Sequence, residues 1–245
     1  MHRVYIAELT TQSSTITITN PSEIHHLKNV LRLRKNTGVQ LFNGQGLQAD
    51  GTISEIAPQK VEISLINFVH SSEKTIHITL ACAIPKKAKF ETIIEKCTEL
   101  GVDAIIPMIT KRTNVKLDDQ RKSRKSSRFE TVAVNAAKQS KRTTLPVIYP
   151  ILTLPDALKH IDTQTCALIP WLEGNRKSLH TILREATTAK QKFFILIGPE
   201  GDFTPGEVEL AQRHGCIPVS LGSTVLKVDT AAISTIAFLQ LYLSK

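Results

Sequence analysis

Apolar and polar side chains alternate with a period of two through much of the first seventy residues, the pattern of short half-buried strands. The opening stretch from Met1 to Leu9 reads as one strand, and Thr15-Ile16-Thr17-Ile18-Thr19 as another. Val39–Asn43 and Leu47–Ala57 flank Asn43-Gly44-Gln45-Gly46, a hairpin signal. Lys60–Ile66 alternates again. One short helix interrupts the strands: Asn20 suits its cap, Pro21 its first position, and Ile24, Leu27 and Leu31 share one face. Many short strands with a single helix predict a small β-barrel.

The period changes after His70-Ser71-Ser72-Glu73-Lys74. Ile76–Ile84 is a mostly apolar strand; Phe90, Ile93, Ile94, Cys97 and Leu100 then recur at helical spacing until Gly101. Ala104–Ile109 is the next strand. A basic loop leads into a helix from about Arg128 to Ser140, and Ala167–Ile169 and Phe193–Ile197 read as buried strands. Thr204-Pro205-Gly206-Glu207 is a capping box with proline at the first helical position, and Gly215 closes that helix. Ile217–Leu221 is a strand and Asp229–Leu243 a final helix. Alternation of strand and helix predicts an α/β domain with a parallel sheet covered on both faces. The expected division is 1–72 and 73–245.

Charge changes this picture. Of the net charge of +9, residues 86–142 carry +8, with fifteen basic and seven acidic side chains, peaking at Arg121-Lys122-Ser123-Arg124-Lys125-Ser126-Ser127-Arg128. Such a block attracts a polyanion and releases its counterions. Nucleic acid is the expected partner; a solvated loop without a partner is the alternative. The run has no interleaved aromatic residues to enter a membrane interface. The most apolar stretch, Ala231–Leu243, is broken by Ser234, Thr235 and Gln240, so no membrane span is expected. The opening residues lack a signal-peptide pattern, which points to the cytoplasm. Cys82, Cys97, Cys166 and Cys216 form no CxxC pair, and the eight histidines form no HxxxH or HExxH pattern, so neither disulfide nor metal is expected.

Candidate chemistry gathers where strands end. Ligands of open α/β sheets sit at the carboxyl ends of strands. Phe193–Ile197 runs into Gly198-Pro199-Glu200-Gly201; Leu221-Gly222-Ser223-Thr224-Val225-Leu226-Lys227 joins a strand to the last helix; and Ile169-Pro170-Trp171-Leu172-Glu173-Gly174 is a third such turn. None is a P-loop or GxGxxG. The three line one pocket if their strands are neighbours.

These motifs together resemble the cofactor-binding region of SPOUT-class methyltransferases, and within that class the ribosomal RNA small subunit methyltransferase E family. His26–Arg32 and Leu41-Phe42-Asn43-Gly44 are similar to the family's PUA-like barrel. Lys96–Val102, Thr110–Lys116 and Ala136–Arg142 are similar to further segments of its α/β domain. The resemblance implies a fold that periodicity does not reveal: an N-terminal PUA-like barrel and a C-terminal SPOUT domain with a deep trefoil knot. It also implies S-adenosylmethionine as cofactor, a homodimer, and methylation of uridine N3 in 16S ribosomal RNA of the small subunit. The cofactor residues it implies are Ile169, Pro170, Leu196, Ile197, Gly198, Pro199, Glu200, Gly201, Leu221, Gly222, Val225 and Leu226. The chain departs from the family pattern at Asp202, where a second glycine is usual. In the usual LGxRxLRxETA, Thr224 and Lys227 stand for the arginines and Asp229 for the glutamate.

Uracil N3 becomes a nucleophile only once its proton leaves, and the charge then spreads to O2 and O4. A cation stabilises that charge, which makes Arg142 and Lys227 the catalytic candidates, with Gln139 as a possible orienting donor. Asp229 is a candidate to accept a proton or hold Lys227, or else caps the last helix. Trp171 is either a base-stacking platform or a core residue. Lys28, Arg32 and Arg34 on the barrel, with Lys111, Arg112, Arg121, Lys122, Arg124 and Lys125, are the candidate RNA contacts. The alternatives are a SPOUT enzyme acting on a ribose 2′-hydroxyl and an RNA-binding or ribosome-assembly protein without catalysis.

Overall fold

The computed structural model describes residues 1–72, 74–86, 89–113, 118–186 and 191–243. Asn114, Val115 and Lys116 of the Thr110–Lys116 segment, and Glu73, lie outside the described residues. The chain forms two compact units, Met1–Glu73 with Ala137–Leu145, and Lys74–Ala136 with Pro146–Lys245.

In the first unit, β1 (His2–Tyr5), β2 (Thr15–Ile18), β3 (Gly38–Phe42), β4 (Leu47–Ile56) and β5 (Val61–His70) form a curled sheet in the order β1-β3-β4-β5-β2. β1 runs parallel to β3; the other pairs are antiparallel. The alternating apolar residues, among them Val39, Leu41, Ile53, Val61 and Ile63, face one core with Leu27 of the helical segment. α1 (Pro21–His25) starts as its sequence predicts: Asn20 Oδ1 accepts from the Ser22 and Glu23 amides at 2.9 and 3.3 Å. A single π-turn, His26–Val30, continues it.

The segment 137–145 belongs to this first unit, although the sequence division places it with the second. Arg3 Nη1 donates to the carbonyls of Ala137 and Arg142 at 3.2 and 2.9 Å, and its guanidinium lies 4.4 Å from the Phe42 ring centroid. Lys138 pairs with Glu23 at 3.0 Å. The Gly46 amide donates to the Thr143 carbonyl and the Leu145 amide to that of Gly44.

The second unit is built on an all-parallel sheet. Its elements are β6 (His77–Ala83), α2 (Lys89–Glu99), β7 (Ala104–Ile109), α3 (Asp119–Ser140, of which 137–140 are counted with the first unit), β8 (Val147–Ile148), β9 (Leu152–Thr153) and α4 (Leu154–Leu158). They continue with β10 (Thr165–Pro170), β11 (Lys177–Ser178), α5 (Leu179–Ala186), β12 (Lys192–Ile197), α6 (Pro205–Arg213), β13 (Ile217–Ser220) and α7 (Val228–Leu243). The order is β11-β13-β10-β12-β6-β7-β8, with β9 also on β7. Alternation along each central strand divides the core into two layers. Ile78, Leu80, Cys82, Phe193, Ile195 and Ile197 pack with α2 and α7 on one face. Ala81, Ala83, Phe194 and Leu196 pack with α4 and α6 on the other. Each large side chain buried in this way contributes about 1.5–3 kcal/mol.

One expected element is corrected. The basic run is helical rather than a loop, because α3 begins at Asp119 and not near Arg128. Asp118 Oδ1 accepts the Arg121 amide at 2.8 Å, and Ser126 and Thr131 hydroxyls return to the carbonyls four residues back.

All four cysteines are free and buried. Burial holds Cys82 well above the ordinary thiol range and pushes Cys97 and Cys216 up to about 12. An acid whose pKa is raised on folding costs nothing at neutral pH. It costs stability once the pH passes the unfolded thiol's value near 9, since only the unfolded chain then loses protons. The expected result is that native thiols resist an aromatic disulfide reagent at pH 8 and that unfolding midpoints fall between pH 9 and 11. Rapid native-state labelling of Cys97 would contradict this.

Candidate active site

The strands β13, β10 and β12 are consecutive neighbours in the sheet and parallel, so all three release their chains at the same edge. This is the condition under which the three glycine-bearing turns share a pocket. A cavity of about 240 Å³ lies there, lined by Pro170, Trp171, Ile197–Glu200, Asp202, Val219–Gly222, Thr224–Val228 and a few neighbours.

The Gly198–Gly201 turn is fixed from several sides. A Cβ on Gly198 would come within 3.0 Å of the Phe203 ring, so glycine lets the buried Phe203 fold back beneath the turn. Glu200 Oε1 accepts the Lys86 amide at 3.1 Å. Arg112 Nη1 donates to the Gly201 carbonyl at 2.7 Å. Asp202 closes the turn through its amide, 2.9 Å from the Pro199 carbonyl, at a φ of 59°. The capping box at α6 forms as its sequence predicts, and Glu207, buried and carboxylate-bearing, also accepts the Lys111 amide at 2.8 Å.

The turn after β10 is equally built. The Trp171 amide donates to the Val219 carbonyl at 3.2 Å, and Arg176 Nη1 donates to the Trp171 carbonyl at 2.6 Å. The indole covers Gly174, where a Cβ would come within 2.5 Å of Trp171 Cζ3 and φ is 69°, so no side chain fits. Trp171 thus both packs on the core and lines the cavity.

Of the sequence-predicted cofactor residues, Pro170, Ile197, Gly198, Pro199, Glu200, Leu221, Gly222, Val225 and Leu226 line the cavity. Ile169 and Leu196 are buried in the strands behind it, and Gly201 faces Arg112. Lys227 lines the cavity. Asp229 does not pair with Lys227: its carboxylate lies 3.8 Å from Lys89 Nζ, and its Oδ1 is buried with no hydrogen-bond partner among the described residues. It stands inside the first turn of α7, where the helix dipole favours a carboxylate. Arg142 belongs to the first unit, where its Nη2 lies 3.3 Å from Thr144 Oγ1.

The candidate RNA contacts are distributed in the same way between the units. Lys28, Arg32 and Arg34 are exposed on the first, and Lys28 lines a shallow cavity there with His25, Asn29 and Gln59. On the second, Arg121 pairs with Asp118 at 3.3 Å, and Arg124 is exposed. Lys122 and Lys125 are half-buried. Arg128, at the end of the run, is taken by Glu91 at 2.6 Å. Sequence reasoning did not assign Arg176 or Asp202 to the cavity: Arg176 sits in no recognisable motif, and Asp202 stood out only as a departure from the family's second glycine.

Residues 72–240 match the family model of an RNA methyltransferase domain, and residues 18–66 that of an RNA methyltransferase PUA domain. The ribosomal RNA small subunit methyltransferase E of Rickettsia conorii is 32% identical, over 98% of this chain and 95% of its own length. The chain belongs to the ribosomal RNA small subunit methyltransferase E family. The Bacillus subtilis member is 29% identical over 96% of this chain and 95% of its own. A crystal structure of the Neisseria gonorrhoeae member bound to S-adenosyl methionine superposes with a TM-score of 0.88 at 27% identity, covering 99% of this chain and 98% of that one. The family assignment places a PUA domain before an α/β methyltransferase domain of the SPOUT class, and the chain is an RNA methyltransferase. No helix among the described residues is long and apolar enough to cross a membrane.

Proposed function

We propose that this chain transfers a methyl group from S-adenosylmethionine to N3 of a uridine in 16S ribosomal RNA, acting on the small ribosomal subunit in the cytoplasm as a homodimer. Residues 1–72 serve as the RNA-binding barrel and 73–245 as the catalytic domain. The observation that carries this reading is the cavity shared by the turns after β10, β12 and β13 in a member of this family.

The cavity's chemistry fits that cofactor. Ile197, Val219, Leu221 and Leu226 give apolar walls for a purine, the glycine turns offer backbone groups at close range, and Glu200 supplies negative charge toward a cationic ligand. When bound, the cofactor supplies an electrophilic methyl group. The protein's part is to hold the acceptor base in line and to stabilise charge as N3 loses its proton. Lys227, at the cavity wall, carries the cation for uracil O2 or O4, and Arg142 is proposed as a second. Asp229, next to Lys89 and with one oxygen unpartnered among the described residues, is the proposed proton acceptor. Trp171 offers an aromatic face at the cavity, and Lys28, Arg32, Arg34, Lys111, Arg112, Arg121, Lys122, Arg124 and Lys125 hold phosphates.

Incubation with methyl-labelled S-adenosylmethionine tests the reading. Label is expected in the RNA of small subunits from cells lacking the enzyme, with incorporation falling steeply as salt rises. Absence of label from both subunits and naked 16S RNA, with RNA binding intact, would favour a non-catalytic RNA-binding protein.

A further inference from the structure

We propose that Asp202 is a positioning residue whose carboxylate latches the Trp171–Gly174 turn over the cavity and thereby sets how long the methyl donor stays bound. This rests on the proposed identity of the cavity as the S-adenosylmethionine site.

Asp202 holds a left-handed backbone, φ 59°, that a side chain makes unfavourable and glycine adopts freely. The side chain has two uses there. Oδ1 accepts the Phe203 amide at 2.8 Å, which fixes the carboxylate on its own turn. Oδ2 accepts the Leu172 amide at 3.1 Å, thirty residues away in sequence and on the turn after β10. One carboxylate therefore joins two of the three turns that build the cavity, and Trp171, Leu172, Arg176 and Asp202 all line it.

The rest of the turn is held at Trp171 by the Val219 carbonyl and the Arg176 guanidinium. Leu172, half out in solvent at 46% exposure, is met at its amide by Asp202. Loss of that charge-assisted bond leaves Trp171 tethered and frees the tip of the turn to open. Access to the cavity then follows the opening of the tip.

Asp202→Gly and Asp202→Asn separate the latch from the fold. Glycine suits the backbone, so the thermal midpoint of Asp202→Gly is expected to stay level or rise. Asparagine has one accepting oxygen for two amide donors and should lie between glycine and wild type. Two readings are made. Hydrogen exchange at the Leu172 amide, in protein without donor, should quicken by about tenfold or more in Asp202→Gly. Release of S-adenosylmethionine, followed through the fluorescence of Trp171, the chain's single tryptophan, should quicken about five- to tenfold. Unchanged exchange at Leu172 overturns the latch. Faster exchange with unchanged release overturns its role toward the donor. If wild-type protein binds no S-adenosylmethionine, the assigned identity of the cavity fails, and with it the donor role, while the exchange result still decides whether Asp202 holds the turn.

Discussion

Lys227→Met lowers the turnover of methyl transfer by about 10²–10³-fold, the usual cost of removing one donor aimed at developing charge, and leaves the affinity for S-adenosylmethionine within a few-fold of wild type. Lys227 follows Leu226 on the turn after β13 and lines the cavity, while its carbonyl accepts the Ala231 amide at 2.8 Å to open α7. The backbone bond is kept by any residue, so the substitution removes charge and spares the helix start. Lys227→Arg keeps a cation in a planar fork and should retain turnover within about tenfold. Single-turnover rates at saturating donor, with donor affinity measured by calorimetry, separate the two effects. Turnover of Lys227→Met within twofold of wild type would remove Lys227 from the mechanism.

Glu207→Ala destabilises the protein by about 3 kcal/mol, a sum over a lost helix cap and bonds to a charged acceptor. Glu207 is 4% exposed. Its Oε1 accepts the Lys111 amide at 2.8 Å, and its Oε2 accepts the Thr204 amide and hydroxyl at 2.9 and 2.8 Å. Alanine orphans those donors and releases the turn after β7 from the start of α6. For a chain of this size the thermal midpoint should fall by roughly 6–12 °C. Glu207→Gln keeps an accepting oxygen and should cost about 1 kcal/mol. A loss below about 1 kcal/mol in Glu207→Ala, measured by urea unfolding, contradicts this role.

Local chemistry made much of the fold legible. The Asn20 cap, the hairpin at Asn43–Gly46 and the box from Thr204 to Glu207 each depend on a few adjacent residues, and each forms as those residues predict. The parallel sheet was legible from apolar runs alternating with helical ones. Strand order was not, because which strands adjoin is decided by packing between distant segments. That β13 lies beside β10, and β10 beside β12, is what turns three separate sequence motifs into one cavity.

The misplaced start of α3 has a local cause. Residues 119–127 are charged and serine-rich with no apolar stripe, so helical periodicity begins only near Phe129. Asp118 was the available signal, an N-terminal acceptor ahead of a basic helix. The short elements β8, β9, β11, α4 and α5 are too brief for periodicity to register. At the site, the glycine turns were legible because close approach at Gly174 and Gly198 and a positive φ at Gly222 favour glycine, whereas Arg176 and Asp202 act through bonds to backbone groups of other residues. Their places depend on the assembled sheet. Asp229 was legible as a carboxylate near the site, but its cation is Lys89 rather than Lys227, a pairing across α2 and α7 that spacing does not reveal.

The most direct measurement is the identity of the methylated nucleoside. Small subunits from cells lacking the enzyme are labelled with purified protein and methyl-labelled S-adenosylmethionine, and their RNA is digested to nucleosides. Label is expected in N3-methyluridine, with loss of that label in Lys227→Met. Label in a 2′-O-methylated nucleoside contradicts it, since the nucleophile would then be a ribose hydroxyl and the roles given to Lys227 and Arg142 at the uracil edge would fall.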